Sequence, residues 1–153
     1  LEPSEIPVKL QGEMVVDRKA TIGGADYNIT CVSMGNPHCV VFRDDVEQLA
    51  IEKIGPVFEN CELFPERVNT EFVRVIDDHT LRMRVWERGS GETWACGTGA
   101  CAAAVAAVEN GFCPKGEDIT VKLKGGDLVI NYTDDAVFMT GEAIKVFDGY
   151  VEL

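Results

Sequence analysis

The sequence predicts an α+β domain in which a curved, mostly antiparallel, barrel-like sheet wraps around a central buried helix. Three observations carry that expectation. Residues 100–108, ACAAAVAAV, form a run with no polar face, and a helix that is apolar all round must be surrounded by other elements. Much of the remainder consists of short runs rich in β-branched and aromatic residues, punctuated by glycine and aspartate turns. The 153 residues suit one domain of common size, able to bury roughly 70% of the surface its unfolded chain exposes.

Taken in order, residues 1–8 carry Pro3, Ser4 and Pro7 and read as an inter-domain linker, with 9–153 as the folded unit. EMVVDRKA and YNITCVSM are strand-like runs separated by a turn at Gly23 and Gly24. HCVVF follows a break at Gly35, Asn36 and Pro37. DDVEQLAIEKIGPVFEN has helical spacing at Val46, Leu49 and Ile54, with Asp44 or Asp45 as its N-cap. TEFVRVI and TLRMRVW form a hairpin turned by Asp77, Asp78 and His79. In the second strand Leu81, Met83 and Val85 face a core, while Arg82, Arg84 and Trp86 face water. The alanine-rich helix spans 98–109 and stops at Asn110 and Gly111. Four strands follow, DITVKLK, DLVINY, AVFMT and AIKVFDGYVEL, with turns at Gly125 and Gly126 and at Asp134 and Asp135.

Composition narrows the function. Binding to nucleic-acid backbones relies on clustered Lys and Arg, so a formal net charge of −12 argues against a nucleic-acid partner. No apolar run approaches the roughly 20 residues of a membrane span. The six cysteines form no CxxC pair, and Cys31, His38 and Cys39 lack a fourth zinc ligand. Reduced thiols in a cytoplasmic protein are the expectation, with five of the six as small buried hydrophobes.

Cys96 is the exception. In ERGSGETWACGTGACAAAVAAV, residues 87–108, it stands in a glycine-rich turn at the mouth of the helix. A helix N-terminus presents unpaired N–H groups and about half a unit of positive charge. Gly97 and Gly99 leave room for a carboxylate on those donors. A thiol at the same end is expected to ionise below its usual value of about 8.5. A carboxylate cradle beside an acid–base thiol suits proton transfer at the carbon next to a carboxylate. Other readings stand beside it: a plain buried cysteine, or a nucleophilic cysteine served by His38 or His79. The loose dinucleotide fingerprint at Gly97 and Gly99 lacks its preceding strand and an acidic residue ending the next one, and no Walker lysine is present.

The ERGSGETWACGTGA run, together with MGNPHCVVF at 34–42, resembles the second half of the diaminopimelate epimerase family. The similarity runs through essentially the whole chain to the closing VFDGYVEL. Proline racemases share the fold and a Cys-Gly-Thr-Gly core without the preceding segment, and phenazine-type isomerases of the same fold lack the cysteine. The resemblance implies one of two pseudo-equivalent halves and a cofactor-independent epimerase of lysine biosynthesis, interconverting LL- and meso-2,6-diaminopimelate. One cysteine removes the α-proton as thiolate, and another on the opposite face returns one as thiol. It implies Cys96 as the second of these, Glu87 assisting it, and His38 paired with the other. Gly97 and Thr98 are implied to hold the reacting carboxylate. Asn36, Asn69 and Arg88 are implied to bind the distal groups, with carbonyls near Glu87 and Arg88 receiving an ammonium. No metal, pyridoxal phosphate or nucleotide is implied.

The family's first half, with its A-C-G-N-G type motif and the other cysteine, has no counterpart in the sequence. The expectation is a carboxyl-terminal catalytic half at 9–153, folded but inactive alone, whose partner is the missing amino-terminal domain. Residues from about 141 to 153 are expected to belong with that domain. Two alternatives are a related racemase for another amino acid and a non-catalytic binding module that self-associates as a homodimer.

Overall fold

A computed structural model describes residues 1–152. Nine strands form one mixed sheet: β1 (Arg18–Ile22), β2 (Ala25–Ser33), β3 (Pro37–Phe42), β4 (Asn69–Asp77), β5 (Thr80–Glu87), β6 (Gly91–Glu92), β7 (Asp118–Leu123), β8 (Gly126–Tyr132) and β9 (Val137–Thr140). Their spatial order is β1-β2-β3-β4-β5-β7-β8-β9, with β6 laid against β5. The sheet is open, and β1 and β9 are its edges.

Most neighbours are antiparallel, as expected, but β3 with β4 and β5 with β7 are parallel. A parallel pair cannot be joined by a tight turn; it needs a crossover. α1 (Ile51–Glu59) supplies the first and α2 (Gly97–Glu109) the second. Between them, the antiparallel hairpins use turn chemistry. Gly23 and Gly24 adopt φ of +59° and +83°, the left-handed pair a two-residue hairpin loop requires.

α2 is the axle. Ala100, Ala102, Ala103, Ala104, Ala106 and Ala107 are fully buried, and the helix touches β2, β3, β4, β5, β7, β8 and β9. Methyl side chains let those strands approach closely on every side. At its far end the Phe112 N–H bonds the Ala107 carbonyl at 2.8 Å and the Gly111 N–H bonds that of Val108 at 2.9 Å. With Gly111 at φ +75°, this is the Schellman stop that Asn110 and Gly111 foretold.

The structure differs from expectation in four places. The other face of β5 is not wet: Arg84 donates to the carbonyls of Val46 and Leu49 at 3.0 and 2.8 Å, and Trp86 lies under α1, so the sheet carries a second core. That face reads as polar because its residues bond to covering chain, Arg84 to the turn ahead of α1 and Trp86 to Glu59 of α1, rather than to water. The α1 segment is split into a short 3-10 turn at Val46–Gln48 and the helix proper. Its cap is Ala50, without a side-chain bond, because Asp45 is held by Arg43 at 2.5 and 2.7 Å. The first strand begins only at Arg18, since Val15 turns inward to bond Leu1 and Cys31 through its backbone. Finally, 143–152 forms no strand; Ile144, Val146, Phe147 and Tyr150 are exposed. An alternating pattern marks a strand only where a ladder is on offer.

Residues 1–8 pack against the second core, with Ile6 fully buried. Of the six thiols, Cys61 and Cys101 are only half-buried, short of the burial expected for them. No helix among the described residues is long and apolar enough to cross a membrane.

Two measurements check this packing. A Cβ on Gly55 would sit 2.2 Å from the Trp86 ring, so Gly55→Ala is expected to lose about 1–3 kcal/mol through overpacking, read as a lower urea midpoint. At the β4–β5 turn His79 bonds Glu117 and Asp78, each at 2.8 Å. These bonds, Glu117 first, raise its pKa from 6.5 to about 9. A folded value above the unfolded one means the clasp stabilises fully below pH 6.5 and is lost as pH rises through about 9. Thermal unfolding followed across that window should show the decline in the natural protein and a flatter curve in His79→Gln.

Candidate functional site

The site forms at the N-terminus of α2, where the ends of β3, β4 and β5 converge. Cys96 caps the helix from an extended backbone at φ −141° and ψ 105°, and its sulfur accepts the Gly99 N–H at 3.3 Å. The Thr98 hydroxyl lies 3.7 Å from the same sulfur. Gly97 and Thr98, in the first turn, carry N–H groups that have no carbonyl one turn back to bond.

Strand register brings the next groups. His38 of β3 pairs with Asn69 of β4, and Val40 with Glu71. Side chains alternate along a strand, so His38, Asn69 and Glu71 share the face that α2 covers. The same alternation turns His38 away from Cys31 and Cys39, which lie in the second core. No group of three ligands suited to a metal is present among the described residues.

His38 and Glu71 are both fully buried, with Nδ1 2.7 Å from Oε1. On its other side, His38 Nε2 lies 2.9 Å from Asn36 Oδ1. Burial pushes the Glu71 carboxyl up, against the pull of His38. Asn69 is committed at both ends: its amide donates to the Pro37 carbonyl at 2.9 Å, and its oxygen accepts the Arg88 N–H at 2.9 Å. The Arg88 guanidinium donates to the Glu66 carbonyl. Glu87 accepts the Thr93 hydroxyl.

The loop after Glu87 is pinned by Glu59. That carboxylate accepts from Arg67, Trp86 and the Gly89 N–H at 2.9, 2.7 and 2.9 Å. Burial opposes its charge, yet the three donors together hold its pKa below the usual range.

The expected ionisation of Cys96 is corrected. Burial, followed by the Glu71 carboxylate, raises its pKa above the ordinary thiol value, and the bonds from Gly99 and Thr98 offset this only in part. The helix mouth is flanked by acids, Glu87, expected there from the motif, and Glu71, which the motif does not contain. Glu59, Glu71 and Thr93 are the residues that sequence reasoning missed. For Glu71 a signal existed: it shares a strand face with apolar Val73 and Val75. His79, the other histidine considered for Cys96, sits at the opposite end of β5. In alkylation followed residue by residue with mass spectrometry, Cys96 is expected to react with a pH midpoint above that of a free thiol.

A family model for diaminopimelate epimerase matches residues 30–146. The diaminopimelate epimerase of Acetivibrio thermocellus is 53% identical over 155 aligned positions, covering 100% of this chain and 55% of that protein. Those of Methanococcus maripaludis and Synechococcus elongatus are each 50% identical, with the same coverage. The chain thus spans about half the length of the curated relatives it matches. Among solved structures, a PhzF-family phenazine biosynthesis protein from Bacillus anthracis superposes with a TM-score of 0.52 at 23% identity, covering 80% of this chain and 40% of that one. One from Enterococcus faecalis gives 0.53 at 14%, over 72% and 41%. These two show a shared fold. On the sequence match, the chain belongs to the diaminopimelate epimerase family.

Proposed function

We propose that this chain forms one face of the active site of an epimerase that interconverts LL- and meso-2,6-diaminopimelate by proton transfer at the α-carbon. The observation that carries the reading is Cys96 itself: a hydrogen-bonded thiol at a helix mouth, linked through Thr98 to Asn36 and His38 and acted on by Glu71 and Glu87, in a member of this family. The Gly97 and Thr98 N–H groups offer the reacting carboxylate a positively polarised seat. That seat matters most when the α-proton leaves and charge spreads onto the carboxylate oxygens. Because burial and nearby acids keep Cys96 as a thiol, it suits the donor's role on this face. Its S–H bond breaks, a C–H bond forms at the α-carbon, and the thiolate left behind is supported by Gly99 and Thr98. The opposite proton goes to a thiolate supplied by the complementary half, so the reaction is redox-neutral.

Glu87, held by Thr93, is placed to exchange protons with Cys96. Asn69 acts by tying the loop of Asn36 and His38 to Arg88, and Arg88 offers a forked cation to a distal carboxylate. The complementary half finds an apolar landing surface beside the mouth, where Met139 lies against Gly97 and Trp94, Phe138 and Ile144 are exposed.

Deuterium incorporation at the substrate α-carbon tests the reading. The chain alone should give no epimerisation. Joined to a half bearing the second thiol it should turn over, and Cys96→Ala should then cost about 10²–10⁴-fold. Turnover by the isolated chain, or exchange untouched in both directions by Cys96→Ala, would overturn it.

A further inference from the structure

The buried pair of His38 and Glu71 has a geometry that reaches beyond itself. Starting from Glu71 Oε1, the contacts run to His38 Nδ1 at 2.7 Å, from His38 Nε2 to Asn36 Oδ1 at 2.9 Å, from Asn36 Nδ2 to Thr98 Oγ1 at 3.5 Å, and from Thr98 Oγ1 to the Cys96 sulfur at 3.7 Å. The carboxylate end is fixed and dry: Glu71 is fully buried, and its second oxygen, Oε2, has no partner. The path also closes on itself, because Glu71 Oε1 and the Cys96 sulfur both crowd Gly99, lying 2.8 and 3.0 Å from where a Cβ would stand.

Each link in this path has a direction. Glu71 Oε1 and His38 Nδ1 share one proton between them, whichever atom holds it. Asn36 presents its oxygen to His38, so Nε2 must carry a hydrogen and donate. The amide nitrogen of Asn36 then donates to the Thr98 oxygen. With its oxygen accepting, Thr98 has its own hydrogen left to direct onward, to the Cys96 sulfur.

We propose that Glu71 is a positioning residue of the site, the anchor of a directed hydrogen-bond chain through His38, Asn36 and Thr98 that aims the Thr98 O–H at Cys96. The inference rests on Cys96 being an acid–base thiol, as argued above. What Glu71 sets is polarity. Without a carboxylate, an isosteric amide can still accept from Nδ1, but no shared proton remains in the pair. With the amide oxygen on Nδ1, His38 keeps one hydrogen there and its Nε2 becomes an acceptor; an amide nitrogen on Nδ1 would instead leave the hydrogen on Nε2, a result that counts against Glu71 as the group that sets the direction. In the first case Asn36 must reverse to donate to Nε2 and now offers its oxygen to Thr98. The Thr98 hydroxyl turns toward that oxygen and leaves the sulfur. The thiolate form of Cys96 loses one charge-assisted hydrogen bond. The titratable groups facing the sulfur are Glu71 and Glu87, and those facing Glu71 are His38 and Glu87.

The test uses this chain and needs no turnover, so it stands or falls separately from the epimerase assignment. The sequence holds only two histidines, so nitrogen NMR of a histidine-labelled sample resolves both rings, and mass spectrometry follows alkylation of Cys96 with pH. In the natural protein His38 Nε2 is expected to be protonated near pH 8. Thr98→Val, at an exposed position, should raise the Cys96 midpoint by about one pH unit, the worth of one hydrogen bond to a charged group, while leaving the His38 signal in place. In Glu71→Gln His38 Nε2 should lose its proton, and because the variant also removes a carboxylate charge that opposes the thiolate, its readout is the coupling: in the Glu71→Gln background Thr98→Val should move the midpoint no further. An unprotonated Nε2 in the natural protein, or a midpoint unmoved by Thr98→Val, would overturn the proposal; the latter tests it even if Glu71→Gln fails to fold.

Discussion

The fold depends on the burial of a helix that has almost nothing but methyl groups to bury. Alanine side chains cannot reach across a gap, so α2 is dry only if backbone comes close to it all the way round. Seven strands satisfy that demand, and the sheet must curve to do so. The parallel seam between β5 and β7 follows from the same requirement, since a chain that threads α2 through the hollow of its own sheet must leave and re-enter by a crossover; the β3–β4 seam is bridged by α1 on the other face, over the second core. Around α2, architecture and topology are thus two expressions of one packing constraint.

The chemistry inherits its position from that constraint. Because α2 is held along its length, its N-terminus is held too, and the cap residue becomes a fixed point against which strand ends can be set. His38 and Asn69 arrive by register, and Glu87 by being the last residue of β5. The acids close to the thiol work against its ionisation, while Gly99 and Thr98 favour it. These opposed influences fit the acid–base role proposed for this sulfur better than that of a strongly activated nucleophile.

Much of this was legible in the residues. The alanine run announced a surrounded helix, the glycine and aspartate pairs announced turns, and Cys96 stood out as the one thiol at a helix mouth. What was hidden is tertiary. The arginines of β5 look like a solvated face until the turn at 46–49 ahead of α1 is known to cover them, since a covered polar residue and one in water share the same alternation. Asp45 looks like a cap until Arg43 is seen to hold it. Glu71 broke an apolar alternation and could have been noticed, whereas Glu59 could not, because its three donors come from separate stretches of chain. The terminal AIKVFDGYVEL carries a strand's pattern without a neighbour to pair with, and Leu153 at its end lies outside the described residues.

The parallel seam between β3 and β4 also bears on how the molecule assembles. Hairpins such as β7 with β8 join residues close in sequence and close cheaply, whereas pairing β3 with β4 must first gather the whole intervening stretch. His38 and Asn69, which pair in register, lie astride that seam. Folding physics therefore places the corner around Cys96 among the late arrivals, after the local ribbons have already zipped, and a nascent or partly melted chain forfeits the proposed site before it forfeits its secondary structure.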